Sequence, residues 1–579
     1  MCGIVGFNFK DEMLVRAMMR AQSLRGPDQE GSFTDDAVSI GHNRLSIIDL
    51  SENGHQPMWN ASKDVALIFN GEIYNFQTIK KELEKKYVFV SKTDSEVILH
   101  GYEEYRDKIF GKLEGMFALA LYDTRAKKLI LARDSVGIKP LLYYQGEGKE
   151  KGKFFFAQTM AAFCAAKLPL TLRTELLPAF LSYGFVPSPH SIYREVSKVL
   201  PGEIISLNLE TSAIEKKRTL LKPANPLAGL GKEATETKVH GLLSKSVAKH
   251  MMSDVGVGLF LSGGVDSSLI AALLSEQGVN IPAFCLKMEG RSDSGYAAKI
   301  ADKLGWKLHT LEATRKDIEE VYDEIFAELK EPLADTAIFS AYLVSKLAKG
   351  KAKVVLSGEG GDELFGGYVT HARVRNLSSP RFLDKSVVDS LALRLPSFKG
   401  KKTLLDALYS AKQDALGLYL NNLATAHLYS YGGDRKYFEK LRDCAPFFYD
   451  LNSYLPDRLL YKLDAATMHY SLEGRVPFLD KEVVEFAMSK ESQDFFAAHG
   501  GKKVLKDILA KSFPREWFER PKEGFSVPLV FFMETQKFRD DHTRALAWLR
   551  GIDAALAKRV ERARGKTAFN LVALYKAVA

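Results

Sequence analysis

One stretch decides the fold of the second half of the chain: Val255-Gly256-Val257-Gly258-Leu259-Phe260, followed by Leu261-Ser262-Gly263-Gly264-Val265-Asp266-Ser267-Ser268. The apolar run is typical of a buried strand, and the glycine-rich turn leads into a helix predicted at 265–276. Such a turn presents successive backbone N–H groups at a helix N-terminus, which binds anions. Asp266 does not suit an anion alone, because a carboxylate beside phosphates makes chemical sense mainly as a Mg²⁺ ligand. The stretch therefore predicts a phosphate site between a strand and a helix.

Strands and helices alternate after this stretch. Strands are predicted at 281–286 and 352–356, and helices at 295–304 and 337–348. Alternation of this kind indicates a parallel sheet with helices on both faces. Beyond about residue 365 the pattern is mostly helical.

A second cluster follows the strand predicted at 352–356: Ser357-Gly358-Glu359-Gly360-Gly361-Asp362-Glu363. Ligands of open parallel sheets bind beyond the carboxyl ends of the strands. The glycines around the acidic residues indicate close approach to another group. We predict Asp362 as a second Mg²⁺ ligand and Glu359 as a base near a reacting carbonyl group.

The first 200 residues have a different pattern, with short strands and tight turns. Helices are predicted at 77–86 and 94–105, and buried strands at 116–122 and 128–132. This suits a sandwich of sheets covered by helices. A stretch rich in Lys, Pro and Ala follows, so we assign residues 1–205 to a first domain, 206–236 to a linker and 237–579 to a second domain.

The chain begins Met1-Cys2-Gly3-Ile4-Val5-Gly6-Phe7. The small residues after Met1 suit its removal, which would place a thiol and a free α-amine together on Cys2. An α-amine with a pKa of about 7.7–8.0 is partly neutral at pH 7 and can serve as a base for its own thiol. We predict Cys2 as a nucleophile, and a cleaved signal peptide is not expected, since cleavage would remove this residue.

Five short motifs then arrive in order, and with Cys2 they resemble the class II glutamine amidotransferases. The motifs are Leu24-Arg25-Gly26-Pro27-Asp28, Gly41-His42-Asn43-Arg44-Leu45-Ser46-Ile47, Gly54-His55-Gln56-Pro57-Met58, Asn70-Gly71-Glu72-Ile73-Tyr74-Asn75 and Thr93-Asp94-Ser95-Glu96. The resemblance implies an Ntn-hydrolase-like αββα sandwich in which Cys2 takes ammonia from glutamine.

The same resemblance assigns roles to five further residues. The Asn70 side-chain amide and the Gly71 backbone N–H would meet the negative charge that develops on the attacked carbonyl oxygen. Arg44 would bind the glutamine α-carboxylate and Asp94 its α-ammonium, with Glu72 in the same loop. Asn70-Gly71 as a simple hairpin turn is the competing interpretation.

In the second half, the string from Ser262 to Ser268 resembles the pyrophosphate-binding loop of the ATP pyrophosphatases, and it lacks the spacing of a Walker A loop. The implied fold is a parallel-sheet, adenine-nucleotide α-hydrolase-like domain with a helical C-terminal part. The resemblance implies ATP contacts from the residues Leu261, Ser262, Gly263, Gly264, Val265, Asp266, Ser267, Ser268, Leu286, Ser357 and Gly358. Asp266 and Asp362 would hold Mg²⁺.

Later motifs complete a likeness to the glutamine-hydrolysing asparagine synthetases over residues 1–530. They are 455–464, 471–480 and Arg520-Pro521-Lys522-Glu523-Gly524-Phe525. Members of this family activate a carboxylate by adenylation, release pyrophosphate and displace AMP with ammonia. Glu359 would take a proton from the attacking nitrogen, and Lys522 would offset negative charge on the intermediate. We interpret Asp464, Glu473 and Arg475 as buried ion pairs that hold the helical region.

The acceptor carboxylate is left open by these motifs. Aspartate is the first hypothesis, and a sugar uronic acid, a peptide or an antibiotic precursor is the alternative. A β-lactam-forming synthetase is disfavoured by the terminal Cys. A non-synthesising glutamine sensor is disfavoured because both nucleotide loops are whole, and a tRNA-modifying enzyme because no basic platform occurs.

Composition sets the remaining bounds. The 579 residues suit two to four domains, and 46% hydrophobic with 26% charged residues is ordinary for a globular protein. A net charge of +9 over this length gives no indication of nucleic-acid binding. The four cysteines are widely spaced, so no disulfide framework or zinc site is expected. We predict a cytoplasmic enzyme with small-molecule substrates, no nucleic-acid or membrane partner, and a possible homodimer.

Three stretches depart from the family pattern. Gln158-Thr159 stands where Ser-Glu is usual, and Lys287 stands where glycine is common. The likeness fades after residue 530. The Gln158 segment is expected at the junction between the domains.

Overall fold

The computed structural model describes residues 2–223, 231–288, 293–368, 447, 449–489, 492, 496, 501–520, 527–562 and 564–579. The strands of the first part are, in chain order, β1 (Gly3–Phe7), β2 (Gln29–Thr34), β3 (Ser39–Arg44), β4 (Met58–Trp59), β5 (Val65–Ile73), β6 (Gly115–Asp123), β7 (Lys128–Arg133), β8 (Leu142–Gln145), β9 (Phe154–Ala157), β10 (Val196–Lys198), β11 (Glu203–Asn208) and β12 (Ile214–Arg218). Its helices are α1 (Glu12–Arg20), α2 (Phe76–Leu83), α3 (Glu96–Tyr105), α4 (Met160–Ala165) and α5 (Leu177–Tyr183).

These strands form two antiparallel sheets of six strands each. The first has the order β10-β8-β9-β1-β3-β2 and the second β12-β11-β7-β6-β5-β4. β1 lies between β9 and β3, with Gly3 opposite Asn43. β5 pairs with β6 along its whole length. Cys2 therefore precedes a central strand, and Asn70 lies on a strand of the other sheet.

Alternation along the strands explains the layers. Ile4 of β1 and Ile68 of β5 meet in the core between the two sheets. Their neighbours point the other way, so Val5 packs under α1 and α4, and Leu67 under α2 and α3. Each such buried side chain contributes about 1.5–3 kcal/mol relative to exposure. The predicted αββα sandwich is confirmed.

The second sheet continues beyond residue 205. β12 pairs with β11 from Glu203 opposite Arg218 to Leu207 opposite Ile214. The sheet thus extends to Arg218, inside the stretch 206–236 for which a linker was predicted.

The second part contains β13 (Val257–Phe260), β14 (Ala283–Met288), β15 (Leu308–Ala313), β16 (Val354–Leu356) and β17 (Glu473–Arg475). Its helices are α6 (Lys232–His250), α7 (Val265–Glu276), α8 (Asp293–Leu304), α9 (Arg315–Glu328), α10 (Ala337–Ala348), α11 (Gly361–Leu364), α12 (Tyr461–His469), α13 (Lys481–Ala487), α14 (Lys503–Leu509), α15 (Val530–Met533), α16 (Gln536–Ile552), α17 (Ala554–Val560) and α18 (Lys566–Val578). A π-helical segment, Asp450–Leu460, precedes α12.

The five strands form a parallel sheet in the order β15-β14-β13-β16-β17. After β13, the next two strands, β14 and β15, are added on one side of it. The chain then crosses back, and β16 and β17 are added on the opposite side of β13. The reversal of strand order lies between β13 and β16, where open sheets bind their ligands. The loops that follow these two strands are therefore neighbours, as the sequence predicted.

Local patterns predicted most elements of this sheet correctly. The helices predicted at 265–276 and 337–348 coincide with α7 and α10. The strand predicted at 281–286 begins at Ala283 and continues to Met288. The sequence analysis did not predict β15, β17, α6 or α9. Within the described ranges, no helix has both the length and the apolar character needed to cross a lipid bilayer.

Candidate active sites

Cys2 lies at the start of β1, with 8% of its surface exposed. Two residues before Ile4, it is expected on the face of β1 that packs between the sheets. Its Sγ is 3.9 Å from the carbonyl oxygen of Leu45, and Arg25 Nε donates to the Cys2 carbonyl oxygen at 3.2 Å. Burial raises the pKa of the Cys2 thiol. A base is therefore needed to form the thiolate.

Asn70 is fully buried and touches the backbone of Cys2. The Cys2 N–H donates to Asn70 Oδ1 at 2.7 Å, which fixes the orientation of the amide. Asn70 Nδ2 then has no hydrogen-bond partner in the described part of the chain. Buried donors are nearly always satisfied, so this one is available to a ligand beside Cys2.

Two side chains hold the strand just before Asn70. His42 Nε2 lies 3.1 Å from the carbonyl oxygen of Phe69, and the Phe69 N–H donates to Gln56 Oε1 at 2.6 Å. Burial lowers the pKa of His42 to about 3, so the imidazole stays neutral and can donate to this carbonyl. Gln56 and His42 belong to motifs that the sequence analysis quoted without assigning a role.

Gly71 lies on β5 opposite Phe117 of β6, and the two backbones leave no room for a Cβ atom. A Cβ atom at this position would stand 2.1 Å from the carbonyl oxygen of Met116 and 2.7 Å from Phe117 Cα. No side chain fits that space. Asn70-Gly71 is part of a continuous strand and not a hairpin turn, so the competing interpretation is wrong.

Arg44 is buried at the end of β3 and holds the loop that follows it. Its Nη1 donates to Gln29 Oε1 at 2.7 Å and to the carbonyl oxygen of Ser51 at 3.0 Å. Its Nη2 donates to the carbonyl oxygens of Ile48 and Asp49 at 3.4 and 2.5 Å. The guanidinium group therefore shapes the wall of the site with donors that a carboxylate ligand would have to take over.

Glu72 and Asp94 bring two buried carboxylates to the same site. Glu72 Oε2 accepts from Arg475 at 2.7 Å, while Glu72 Oε1 has no hydrogen-bond partner among the described residues. Asp94 Oδ2 accepts from the Ile73 N–H at 2.7 Å. Burial raises the pKa of Asp94 to about 7, and burial together with the Asp94 charge raises the pKa of Glu72 well above its usual range. An added cation would stabilise both carboxylates. We call Cys2, Asn70, Glu72, Asp94 and Arg475 the Cys2 pocket.

Arg475 reaches the Cys2 pocket from β17, in the second part of the chain. It is fully buried and donates to Glu473 at 2.6 Å and to the carbonyl oxygens of His250 and Met252 at 2.7 and 2.6 Å. The sequence analysis interpreted it as part of a buried ion pair that holds the helical region. The ion pair is present, but it also joins the two parts of the chain.

The phosphate loop, residues 261–268, connects β13 to α7. Ser262 Oγ and Ser267 Oγ lie 3.1 Å apart, and Ser268 Oγ donates to the Gly264 carbonyl oxygen at 2.6 Å. Arg520 Nη2 donates to the carbonyl oxygen of Gly263, which adopts a φ of 73°. Leu261 is fully buried below the loop, and Val265 begins the helix. The loop thus has the strand-turn-helix geometry predicted for it.

The acidic loop after β16 packs directly on the phosphate loop. A Cβ atom on Gly358 would stand 2.8 Å from Asp266 Cβ, and one on Gly361 would stand 2.4 Å from Asp266 Oδ1. The close approach that the glycines predicted is therefore to Asp266. Ser357 alone separates Gly358 from the end of β16 at Leu356.

Lys502 joins the two predicted metal ligands. Its Nζ lies 2.5 Å from Asp266 and 2.8 Å from Asp362, and the side chain is 7% exposed. These two carboxylates raise the pKa of Lys502 above its usual range. Asp266 and Asp362 converge on one point, as the predicted metal site requires. The sequence analysis missed Lys502, because a lysine after two glycines resembles a surface residue.

Glu359 lies on the same loop and pairs with a lysine from α12. Lys462 Nζ is 3.1 Å from Glu359 Oε1, with 6% of the lysine side chain exposed against 24% of the glutamate. The charge of Glu359 helps to raise the pKa of Lys462. Lys462 was quoted in a motif without a role. Lys522 lies outside the described residues.

The departures from the family pattern have distinct environments. Gln158 is buried beside β1, where its Oε1 accepts from the Ile4 N–H at 3.1 Å and its Nε2 donates to the Pro140 carbonyl oxygen. Lys287 is exposed and pairs with Glu312 at 3.0 Å, whereas its neighbour Leu286 is buried. Lys287 therefore points away from the side of β14 that Leu286 occupies.

Buried polar contacts join the two parts of the chain. Arg25 makes a bidentate pair with Asp464, at 2.7 and 3.2 Å. Lys139 Nζ donates to the Gly474 carbonyl oxygen at 3.2 Å. Lys198 lies 3.4 Å from Asp457. Asp464 is thus a buried ion-pair residue, as predicted, but its partner belongs to the other domain.

Comparisons with known proteins agree with this architecture. The family model of the glutamine amidotransferase domain matches residues 1–218, and that of asparagine synthase matches residues 238–556. Asparagine synthetase [glutamine-hydrolyzing] 1 of Bacillus subtilis is 32% identical over 93% of this chain and 88% of its own. Asparagine synthetase B [glutamine-hydrolyzing] of Escherichia coli is 28% identical over 91% of this chain and 82% of its own. With both domains matched and a Cys2 pocket and a phosphate loop in one molecule, the chain belongs to the glutamine-hydrolysing asparagine synthetase family.

Proposed function

We propose that this enzyme hydrolyses glutamine at Cys2 and uses the ammonia to convert aspartate into asparagine, with ATP cleaved to AMP and pyrophosphate. Two observations support the proposal. The chain belongs to a family whose members carry both activities in their names, and it has one pocket suited to each half of the reaction. ATP is a substrate, and the product is a carboxamide.

Removal of Met1 would free the α-amine of Cys2 and so make the enzyme competent for the glutaminase reaction. The neutral amine takes the thiol proton, and the thiolate attacks the amide carbon of glutamine. Asn70 Nδ2 and the Gly71 N–H stabilise the oxyanion that forms. The tetrahedral intermediate then collapses, the C–N bond breaks, and ammonia leaves with the proton held by the Cys2 α-amine. Water hydrolyses the remaining thioester to glutamate and frees the Cys2 thiol.

Glutamine is bound through both charged groups on its α-carbon, the ammonium and the carboxylate. Its ammonium group binds the carboxylates of Glu72 and Asp94, which share a single arginine in the pocket and gain from an added cation. Its carboxylate binds Arg44, in exchange for the loop carbonyl oxygens of Ile48 and Asp49. Arg44 thus closes the loop in the free enzyme and binds substrate in the complex.

ATP binds across the phosphate loop, with Leu286 as an apolar contact for the adenosine and the fully buried Leu261 supporting the loop from below. The N–H groups of residues 262–264 and the start of α7 meet the phosphates. Asp266 and Asp362 fit Mg²⁺, because they converge and Mg²⁺ is usually bound by one or two carboxylates plus substrate phosphates. These carboxylates would hold the ion where it would supply positive charge to the leaving pyrophosphate. Lys502 positions both carboxylates and adds positive charge at the same place.

The aspartate carboxylate attacks the α-phosphorus of ATP, which gives an acyl-adenylate and releases pyrophosphate. Ammonia then attacks the acyl carbon, and the bond to AMP breaks as the amide forms. Glu359 accepts a proton from the attacking nitrogen, and Lys462 holds that glutamate in place. Lys522 is assigned to the negative charge of the intermediate on family likeness alone. The cytoplasmic location and a homodimer stay predictions.

The single observation that carries the proposal is the amide of Asn70, held by Cys2 at one end and without a partner at the other. The test is product formation by purified enzyme with Mg²⁺-ATP and glutamine, with aspartate compared against uronic acids and peptides. We expect asparagine, AMP and pyrophosphate with aspartate. Cys2→Ala should abolish the reaction with glutamine and retain it with ammonium. Glutamate release without aspartate-dependent pyrophosphate would reject aspartate as the acceptor.

A further inference from the structure

Arg475 touches both the Cys2 pocket and the strand beside the phosphate loop. Its guanidinium group donates to Glu72 Oε2 at 2.7 Å, and both side chains are at most 2% exposed. Its own backbone lies in β17, the edge strand of the parallel sheet. One residue thus joins a carboxylate predicted to bind glutamine to the domain predicted to bind ATP.

The backbone of Arg475 continues the connection. The Ser357 N–H donates to the Arg475 carbonyl oxygen at 2.8 Å, and Leu356 stands opposite Arg475 in the pairing of β16 with β17. Ser357 is the first residue of the acidic loop. Gly358, next along the chain, packs against Asp266 of the phosphate loop. Glu72 and Asp266 are therefore linked through one side chain and one strand pair.

We propose that Arg475 is a positioning residue that couples glutamine binding in the Cys2 pocket to the geometry of the ATP-binding loops. This inference rests on the proposed function. Glutamine and Arg475 do not compete for Glu72, because Arg475 occupies Oε2 and Oε1 is available to the glutamine ammonium. The two cations bind opposite oxygens of one carboxylate.

The sign of the coupling follows from the charges around Glu72. Burial, Asp94 and Glu473 disfavour its ionised form, whereas Arg475 and the ammonium group of the chain's N-terminus favour it. A bound ammonium group adds a further cation and brings Glu72 to its charged form. A charged carboxylate makes a stronger hydrogen bond to Arg475 than a neutral one. Glutamine therefore fixes β17, and through it Ser357, in the arrangement that binds ATP.

Coupling of this kind is reciprocal, so it can be measured from the ATP side. The Cys2→Ala variant binds glutamine without hydrolysing it, so ATP binding can be measured by calorimetry with and without glutamine. We expect saturating glutamine to lower the Kd for ATP at least about fivefold, the lower end of coupling between linked sites. In the same background, Arg475→Lys keeps the charge and loses the forked contacts, and the effect of glutamine should disappear.

A matched control separates coupling from general loosening of the interface. Lys198→Met also removes a buried cation that contacts the other domain, through Asp457 and Glu331, but it does not touch the Cys2 pocket. The effect of glutamine should survive in Lys198→Met. Loss of the effect in both variants would assign it to interface stability and overturn the role of Arg475.

A second measurement needs no variant of Arg475, which covers the case that Arg475→Lys does not fold. Hydrogen exchange of the Cys2→Ala protein without nucleotide should slow at the Ser357 amide when glutamine is added. An unchanged exchange rate, with glutamine binding verified by calorimetry, would overturn the coupling. Failure of the proposed function is a different result, namely no ammonium-dependent asparagine under any condition.

Discussion

The backbone N–H of Cys2 and the side-chain oxygen of Asn70 form a hydrogen bond of 2.7 Å, 68 residues apart in sequence. The bond turns the amide nitrogen of Asn70 into the pocket, where no group of the described chain meets it. Asn70 therefore has two separate functions, since its oxygen holds the nucleophilic residue and its nitrogen is available to the oxyanion.

Replacement of Asn70 should separate these functions. Asn70→Asp keeps an acceptor for Cys2 and removes the donor, so we expect the kcat of glutamine hydrolysis to fall about 10²–10³-fold. Glutamate release measures this step. Ammonium-dependent asparagine synthesis, which does not use the pocket, is the control and should stay within about twofold of the wild type. Equal loss of both activities would contradict the assignment.

Glutamine binding should weaken in mild acid. The pKa of Asp94 is raised to about 7 by burial, so the carboxylate that attracts ammonium is lost as the pH falls through that value. One such group predicts that the Kd for glutamine rises about fivefold from pH 7 to pH 6. Calorimetry on the Cys2→Ala variant measures binding without turnover.

The matched variant for this pH dependence is Asp94→Asn. Its Kd should be higher than that of the parent at pH 8 and nearly independent of pH between 6 and 8. A slope that is unchanged in Asp94→Asn would assign the pH dependence to another group, with Glu72 as the next candidate, because burial and the charge of Asp94 also raise its pKa.

The sequence predicted correctly those elements that depend on neighbouring residues alone. The strand, turn and helix from Val257 to Glu276 follow from an apolar run, glycines and helical spacing within twenty residues. β15 was missed because its mixture of half-buried and exposed residues gives weak periodicity. The helix α9 was missed although its buried residues, Ile318, Val321, Tyr322, Ile325 and Phe326, follow helical spacing.

The residue Lys502 and the role of Arg475 in the Cys2 pocket were not predicted, because both depend on distant contacts. Lys502 meets Asp266 across 236 positions, and Arg475 meets Glu72 across 403. Nothing in the sequence next to Lys502 indicates its contact with Asp266. Arg475 had one, because a Glu-x-Arg sequence directly before Val476-Pro477-Phe478-Leu479 places charges in an apolar stretch, where only a buried pair is stable.

Lys502 should be needed for pyrophosphate release but not for glutamine hydrolysis. Hydrogen bonds to charged groups contribute about 1.5–3 kcal/mol, so Lys502→Met should lower pyrophosphate release about 10–100-fold. The neighbour Lys503 pairs with Asp507 at 2.9 Å and is 41% exposed, which makes Lys503→Met the control. The rate of pyrophosphate release by Lys503→Met should stay within about twofold of the wild type. Similar losses in the two variants would contradict a specific role for Lys502.

The Arg25–Asp464 pair should contribute strongly to stability, and its test compares it with an exposed pair of similar geometry. Both side chains of the buried pair are 4% exposed, whereas those of Arg16 and Glu12 are 54% and 63% exposed. Arg25→Met leaves the Asp464 carboxylate buried without its bidentate partner, which typically costs about 3–5 kcal/mol in the free energy of unfolding. Arg16→Met should change it by less than about 0.5 kcal/mol, because exposed pairs are screened by water. Denaturant unfolding of both variants measures the difference.

The double variant Arg25→Met/Asp464→Leu should recover part of the loss, since it removes the uncompensated charge along with its partner. Equal stability of Arg25→Met and Arg16→Met would contradict this prediction. It would mean that water reaches the Asp464 carboxylate once Arg25 is gone, and that apolar contacts hold the two domains together.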